Sequence, residues 1–235
     1  AKIRADKIYI LFELSGHTKG NRLSMHAQKP APVQISWGIG YPGTTGLSTI
    51  DILLTDVYHV APAEDDLYPE KVVRLPAGLS CYEPPSYAPA VGELPANQNG
   101  YVTFGSFSQS RKITGEVLAA WASILAAVPD SRILLKYSGL DDEFNIKRIE
   151  SAFAGEGIKP DRIIIEGGAP HKEFLARYNA VDIGLDTFPY SGGITTCEAL
   201  WMGVHVVTLP GTTSASRHAS SHLSNVGLTK YIAGD

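Results

Sequence analysis

The chain has 235 residues, 44% of them apolar and 19% charged, with a formal net charge of −4 at pH 7. That length and apolar fraction suffice for one large domain or two small ones with real cores. The mild acidity, with lysines and arginines scattered rather than clustered, excludes a general nucleic-acid or membrane-surface role.

No apolar run approaches the roughly 20 residues of a membrane span, and no signal peptide is visible. The two cysteines, Cys81 and Cys197, have neither a CxxC partner nor a histidine cluster beside them. The sequence therefore predicts no metal site and a soluble, cytoplasmic protein.

In chain order, Ile8–Phe12 reads as a short strand that runs into Ser15-Gly16-His17-Thr18, a loop whose glycine permits unusual backbone angles. Residues 30–37 give a second strand. It enters a shaped loop carrying Gly38, Gly40, Pro42, Gly43 and Gly46. Asp51–Asp56 and Lys71–Leu75 are further strands. Glu83–Asn99, with Pro84, Pro85, Pro89 and Pro95, reads as an interdomain linker. The domains are thus expected at 1–97 and 98–235.

After the linker the pattern becomes regular. Tyr101–Ser106 is a strand, and Thr114 caps a helix to Val128 in which Val117, Leu118, Trp121, Ile124 and Leu125 recur at helical spacing. Arg132–Lys136, Arg162–Glu166, Val181–Leu185 and Val204–Leu209 are strands with helices between them. This alternation predicts an α/β fold with a doubly wound, Rossmann-like parallel sheet.

Residues 186–203 hold the most informative segment. A strand ends at Asp186, the chain breaks at Pro189, turns through Gly192 and Gly193, and opens a helix. Glycines, the hydroxyls of Thr195 and Thr196 and the positive end of a helix dipole form a seat for phosphate. Glu198, about a turn further on, would repel phosphate and is better placed to accept hydrogen bonds from ribose hydroxyls. Taken alone, the same residues are equally a tight turn and a capped helix that sends Leu200 and Trp201 into the core. The flanking strands favour the ligand reading, because open α/β sheets bind ligands at the carboxyl ends of their strands.

Five strings, SGHTKGNR (15–22), PAPVQISWGIGYPGTTG (30–46), YVTFGSFSQSRKIT (101–114), DTFPYSGGITTCEALWMG (186–203) and LPGTTSASRHASSHL (209–223), resemble the catalytic region of the O-linked N-acetylglucosamine transferases. Bacterial members and the plant SPINDLY proteins are nearest in style. The similarity covers nearly the whole chain in the family's order. It implies a GT-B glycosyltransferase that needs no metal or other cofactor and uses a sugar nucleotide, UDP-N-acetylglucosamine, as donor. N-acetylglucosamine would pass with inversion to Ser or Thr hydroxyls of a protein or peptide acceptor. Residues 1–97 would be a partial N-terminal catalytic lobe and 98–235 the nucleotide-sugar lobe without its terminal helices, with tetratricopeptide repeats upstream in the full-length chain. Two alternatives stay open: a related protein O-fucosyltransferase using GDP-fucose, and a non-catalytic fragment that binds nucleotide sugars.

The resemblance also assigns roles. Lys112 falls on the family's phosphate-binding lysine, the cation that a metal-free transfer needs against its leaving diphosphate; Gln109 is a phosphate or sugar contact. Gly192, Gly193 and Thr195 complete the phosphate seat, and Glu198 takes the ribose. The base lies near Ala169, Pro170 and His171, with His171 as its cover or simply an exposed histidine. Phe174 replaces a stacking histidine of animal relatives, which preserves stacking and loses a hydrogen bond. Arg177 is either a nucleotide contact or a helix-surface cation. In the first lobe His17 would hydrogen-bond the acceptor or the departing oxygen, unless nearby backbone satisfies it, while Thr18, Gly40, Tyr41 and Pro42 would line the sugar pocket.

Overall fold

The structure is a computed structural model that describes residues 2–38 and 43–234. Its strands are β1 (Ile10–Glu13), β2 (Val33–Trp37), β3 (Ile52–Thr55), β4 (Lys71–Arg74), β5 (Thr103–Ser106), β6 (Arg132–Lys136), β7 (Ile163–Glu166), β8 (Ile183–Leu185) and β9 (His205–Val207). The helices are α1 (Lys2–Ala5), α2 (Leu23–His26), α3 (Pro95–Asn99), α4 (Gly115–Ala127), α5 (Glu143–Gly155), α6 (His171–Arg177), α7 (Ile194–Trp201) and α8 (His218–Asn225). The chain divides into two compact units: the first runs to Cys81 and takes back Thr212–Gly227, and the second comprises Tyr82–Gly211 and the chain from Leu228 on.

The first unit is a parallel sheet in the order β1-β2-β3-β4. Ile50, Leu53, Val60 and Leu79 are buried in it, together with Ala219 and Leu223 of α8. A carboxylate fastens α8 there. Asp56, just past β3 and 1% exposed, accepts hydrogen bonds from the N–H groups of Tyr58, His59 and Leu79 at 2.8–2.9 Å, from His59 Nδ1 at 3.0 Å and from Ser221 Oγ at 2.7 Å. His59 Nε2 in turn lies 3.0 Å from His218 Nδ1, and Arg217 pairs with Glu64. Burial raises the Asp56 pKa, but the hydrogen bond and charge of His59, with Ser221 and the backbone, outweigh it and hold the carboxyl well below its usual range.

Residues 212–227 therefore fold with the first unit, although the sequence places all of 98–235 in the second lobe. Their anchors are Asp56 and His59, more than 150 positions upstream, and nothing in the local pattern reports such a partner. The second unit also begins earlier than residue 98. The proline-rich stretch packs as a strap: Ala88 rests on the core, Gly92 N–H donates to Asn179 Oδ1 and Asn179 Nδ2 to the Ala90 carbonyl. The strap ends in α3, with Pro95 in the first turn and Gly100 left-handed at φ 75° after it. Proline is tolerated at that helix position because its missing N–H would have no partner there.

The second unit is a five-stranded parallel sheet in the order β7-β6-β5-β8-β9, with helices on both faces. Strand β6 shows the two-residue period: Ile133 and Leu135 join Val117, Leu118, Trp121 and Leu125 of α4 and Ile149 and Phe153 of α5 on one face, while Leu134 joins Leu175, Tyr178, Ala199 and Met202 on the other. Thr114 caps α4 by accepting the Val117 N–H at 3.3 Å. The strand order turns back between β5 and β8, and the loops leaving those two strands hold the candidate site.

Candidate active site

The loop after β8 is organised by Asp186, 7% exposed. Its Oδ1 accepts the N–H groups of Thr187 at 2.9 Å and Gly192 at 2.7 Å, and its Oδ2 accepts the hydroxyls of Ser191 at 2.8 Å and Thr208 at 2.6 Å. Burial raises the Asp186 pKa, and these four hydrogen bonds offset only part of that rise, so the carboxyl stays above its ordinary value. A Cβ added to Gly192 would stand 2.7 Å from Thr196 Oγ1 and 3.1 Å from Asp186 Oδ1, so a larger residue would force these side chains to shift. The Gly192 N–H is thus turned inward to Asp186 and does not face a ligand. What remains for an anion is the start of α7: the first N–H groups of a helix have no acceptor within it, and a Cβ at Gly193, its N-cap, would project into open space.

Lys112, from the loop after β5, reaches this turn. Its Nζ donates to the Ser191 carbonyl at 2.8 Å and lies 4.2 Å from the centre of the Tyr190 ring. Burial depresses its pKa to about 8, the charge of Asp186 raises it and Arg111 lowers it. The lysine and the glycine turn meet where strand order reverses, the usual ligand position in open α/β sheets.

Beside them opens a cleft of about 370 Å³ lined by Tyr137, Ser138, Gly168, Ala169, His171, Phe174, Ile194, Thr195 and Glu198. Loops after β6, β7 and β8 supply it. Glu198 is 5% exposed, and its Oε1 lies 2.8 Å from His171 Nε2, while His171 Nδ1 is 2.8 Å from the Tyr87 hydroxyl on the strap. Burial raises the Glu198 pKa, with the His171 hydrogen bond and charge opposing. Phe174 meets Phe107 edge to face at 5.2 Å and Tyr137 at 6.4 Å, which fixes an aromatic wall. Cys197, between Thr196 and Glu198, has its thiol pushed up to about 11 by burial, and by the nearby Glu198 charge, so it is no nucleophile near neutrality.

The structure thus brings Ala169, His171, Phe174, Thr195 and Glu198 into one cleft, with Lys112, Gly192 and Gly193 at the turn beside it. Gln109 stands one step back, its Nε2 donating to the Tyr137 hydroxyl at 3.3 Å. Arg177 does not line the cleft. It pairs with Glu166, which also holds Lys136. In the first unit, Gly16 takes φ 50° and Glu13 accepts the N–H groups of Ser15 and Gly16. His17 Nε2 lies 3.1 Å from the Thr44 carbonyl, and Thr18 Oγ1 donates to the Ser15 carbonyl at 2.8 Å. Gly40, Tyr41 and Pro42 lie outside the described residues. Among the described residues no three His, Cys, Asp or Glu side chains are grouped to hold a metal, and no helix is long and apolar enough to cross a membrane.

Sequence reasoning missed Asp186, Tyr137 and Tyr87. Asp186 carried a signal, as the acid that ends a strand and opens a glycine turn. The two tyrosines carried none.

Comparison with known proteins places the chain in a family. The model of glycosyl transferase family 41 matches residues 1–80 and 92–235. The chain is 44% identical over 232 residues to a probable UDP-N-acetylglucosamine–peptide N-acetylglucosaminyltransferase SPINDLY of Petunia hybrida, covering 98% of this chain and 25% of that protein. It is 35% identical over 240 residues to the corresponding SEC protein of Arabidopsis thaliana, covering 96% and 24%. Among solved structures, a mutant O-GlcNAc transferase of Thermobaculum terrenum superposes with a TM-score of 0.94 at 39% identity, covering 100% of this chain and 44% of that one. Sucrose-phosphate synthase of Thermosynechococcus elongatus, with a TM-score of 0.54 at 12% identity, shares the fold alone. The α/β, GT-B class expected from the sequence is borne out by these likenesses. The chain spans about a quarter of the length of the SPINDLY and SEC relatives.

Proposed function

The chain belongs to glycosyl transferase family 41, and from that premise we propose that it is the donor-binding part of a cytoplasmic protein O-N-acetylglucosaminyltransferase. It takes UDP-N-acetylglucosamine and passes the sugar, with inversion and without a metal, to a Ser or Thr hydroxyl of a protein or peptide. The observation that carries this reading is the junction of the aromatic, carboxylate-floored cleft with Lys112 and the open start of α7.

A base and ribose occupy the cleft, stacked against Phe174 and His171, with the free face of the Glu198 carboxylate accepting from ribose hydroxyls. The diphosphate then lies at the α7 N-terminus beside Lys112. When the acceptor oxygen bonds to the anomeric carbon and the bond to the β-phosphate oxygen breaks, negative charge grows on the leaving diphosphate. A preorganised ammonium and helix dipole are worth most at that moment. Gln109 supports this turn, and Gly192 holds its shape. His17 and Thr18 act on the sugar and acceptor side, together with Gly40, Tyr41 and Pro42. Arg177, paired with Glu166, acts as a structural cation.

Calorimetric titration with UDP, GDP and UDP-N-acetylglucosamine tests the assignment. UDP should bind more tightly than GDP. Replacing Lys112 by Ala should weaken UDP by roughly 10- to 100-fold, the worth of one charged hydrogen bond of about 1.5–3 kcal/mol. Preference for GDP would move the protein to the GDP-fucose reading, and a folded sample that binds neither nucleotide would refute both.

A further inference from the structure

We propose that Asp186 is a positioning residue for the Lys112 ammonium: through Ser191 it fixes the carbonyl on which the ammonium sits, and its buried charge is the counter-charge that keeps Lys112 a cation. The inference rests on the reading of Lys112 as the diphosphate-facing group. It adds a residue that, among the ion pairs of the described residues, has none with the lysine.

The geometry makes Asp186 both a spacer and a charge. Both donors on Oδ1 are backbone N–H groups, of Thr187 and Gly192, and an N–H can only donate. The carboxylate form satisfies them along with the Ser191 and Thr208 hydroxyls. Ser191 then faces two ways: its hydroxyl donates to Asp186 while its carbonyl accepts from Lys112 Nζ at 2.8 Å. One residue of backbone thus couples a buried anion to a half-buried cation.

Without that anion Lys112 would be a desolvated ammonium facing a tyrosine ring, a carbonyl and another cation. The charged and titratable groups around it are Asp186 from the end of β8, Tyr190 from the following loop and Arg111 from its own turn. Of these Asp186 is the group that supplies a full negative charge near neutrality, and the Tyr190 ring face adds a weaker cation–π attraction. The consequence follows in sign: loss of the Asp186 charge lowers the pH at which Lys112 gives up its proton, and affinity for a diphosphate is then lost earlier as pH rises.

Asp186→Asn tests this, because Asn has the same size and its Oδ1 still accepts from both N–H groups. The Lys112 amine is titrated by NMR in protein carrying ¹³C-labelled lysine, its signal assigned by its loss in Lys112→Arg. In the unsubstituted protein the midpoint should fall near the value of about 8, and in Asp186→Asn about one pH unit lower. UDP affinity should drop by up to about tenfold near pH 8.5 and by less than about twofold near pH 6.5. A purely structural Asp186 would leave the amine midpoint in place and cost the same at both pH values, which would overturn the proposal. If Asp186→Asn does not fold, Asp186→Ser removes the same charge and leaves a short hydroxyl in the turn. The midpoint should move the same way, and an unmoved midpoint there is equally fatal. Absence of UDP binding at every pH would sink the sugar-nucleotide reading instead, while the amine titration, which needs no ligand, still decides the role of Asp186.

Discussion

Acid should loosen the first unit through His222 before it reaches the Asp56 carboxylate. His222 lies on α8 next to Ser221, and burial holds its pKa at about 4 against an ordinary 6.5, with the charge of His59 acting in the same direction and Asp56 opposing. The unfolded chain takes up a proton at this site near 6.5, whereas the folded one refuses it until about 4. Between those values unfolding gains a proton, so stability falls as pH falls, and below about 4 this site adds no further loss. The gap of about 2.5 units sets an upper bound of about 3 kcal/mol at 1.36 kcal/mol per unit. Asp56 acts in a separate window. Its folded pKa is depressed, so its contribution is intact above about 4 and is lost only as pH falls below that. Urea unfolding at several pH values between about 7 and 4.5, with the Trp37 indole that donates to the Leu79 carbonyl as reporter of this unit, measures the slope. The His222→Gln variant, which cannot titrate, should be flatter by about 2–3 kcal/mol across that range. Parallel curves for the two proteins would refute the assignment.

Two further outcomes follow from packing. Gly192→Ala places a methyl within 2.7 Å of Thr196 Oγ1 and against the Asp186 carboxylate; it should cost about 1–3 kcal/mol of stability by urea unfolding, as overpacking does, and weaken UDP along with it. Trp121→Ala, at a side chain 2% exposed in the centre of the α4 face, should cost about 3–5 kcal/mol and lower the unfolding midpoint of the second unit.

The elements that the sequence made legible are those governed by local pattern. Ile133, Leu134 and Leu135 alternate between faces, Val117, Trp121 and Leu125 share a helix side, and Thr114 precedes its helix, so each strand and α4 can be read within a window of a few residues. The glycine turn that opens α7 was legible for the same reason, since Gly192, Gly193 and Thr195 lie within four residues. What escaped depends on partners far away in the chain. Nothing near Ser221 or His218 announces Asp56 and His59, and nothing near Tyr87 announces His171. Arg177 looked available on a helix until Glu166 was placed beside it. Trp201, a core residue on one sequence reading, is 51% exposed, while Ala199 and Met202 fill that core instead: a helix that starts at Ile194 turns those two inward and the indole out. The inward turn of the Gly192 N–H was the least legible feature, because a glycine in sequence has no direction.

The return of residues 212–227 to the first unit has a consequence for synthesis and dissection. During translation the first unit waits for α8 until the whole of Tyr82–Gly211 has been made. The polypeptide crosses between units after Cys81, after Gly211 and after Gly227. A single cut near residue 97 therefore yields no clean half: the downstream piece carries α8 without Asp56, and the upstream piece keeps a buried carboxylate stripped of Ser221. Separating the second unit calls for excising 212–227 and bridging Gly211 to Leu228.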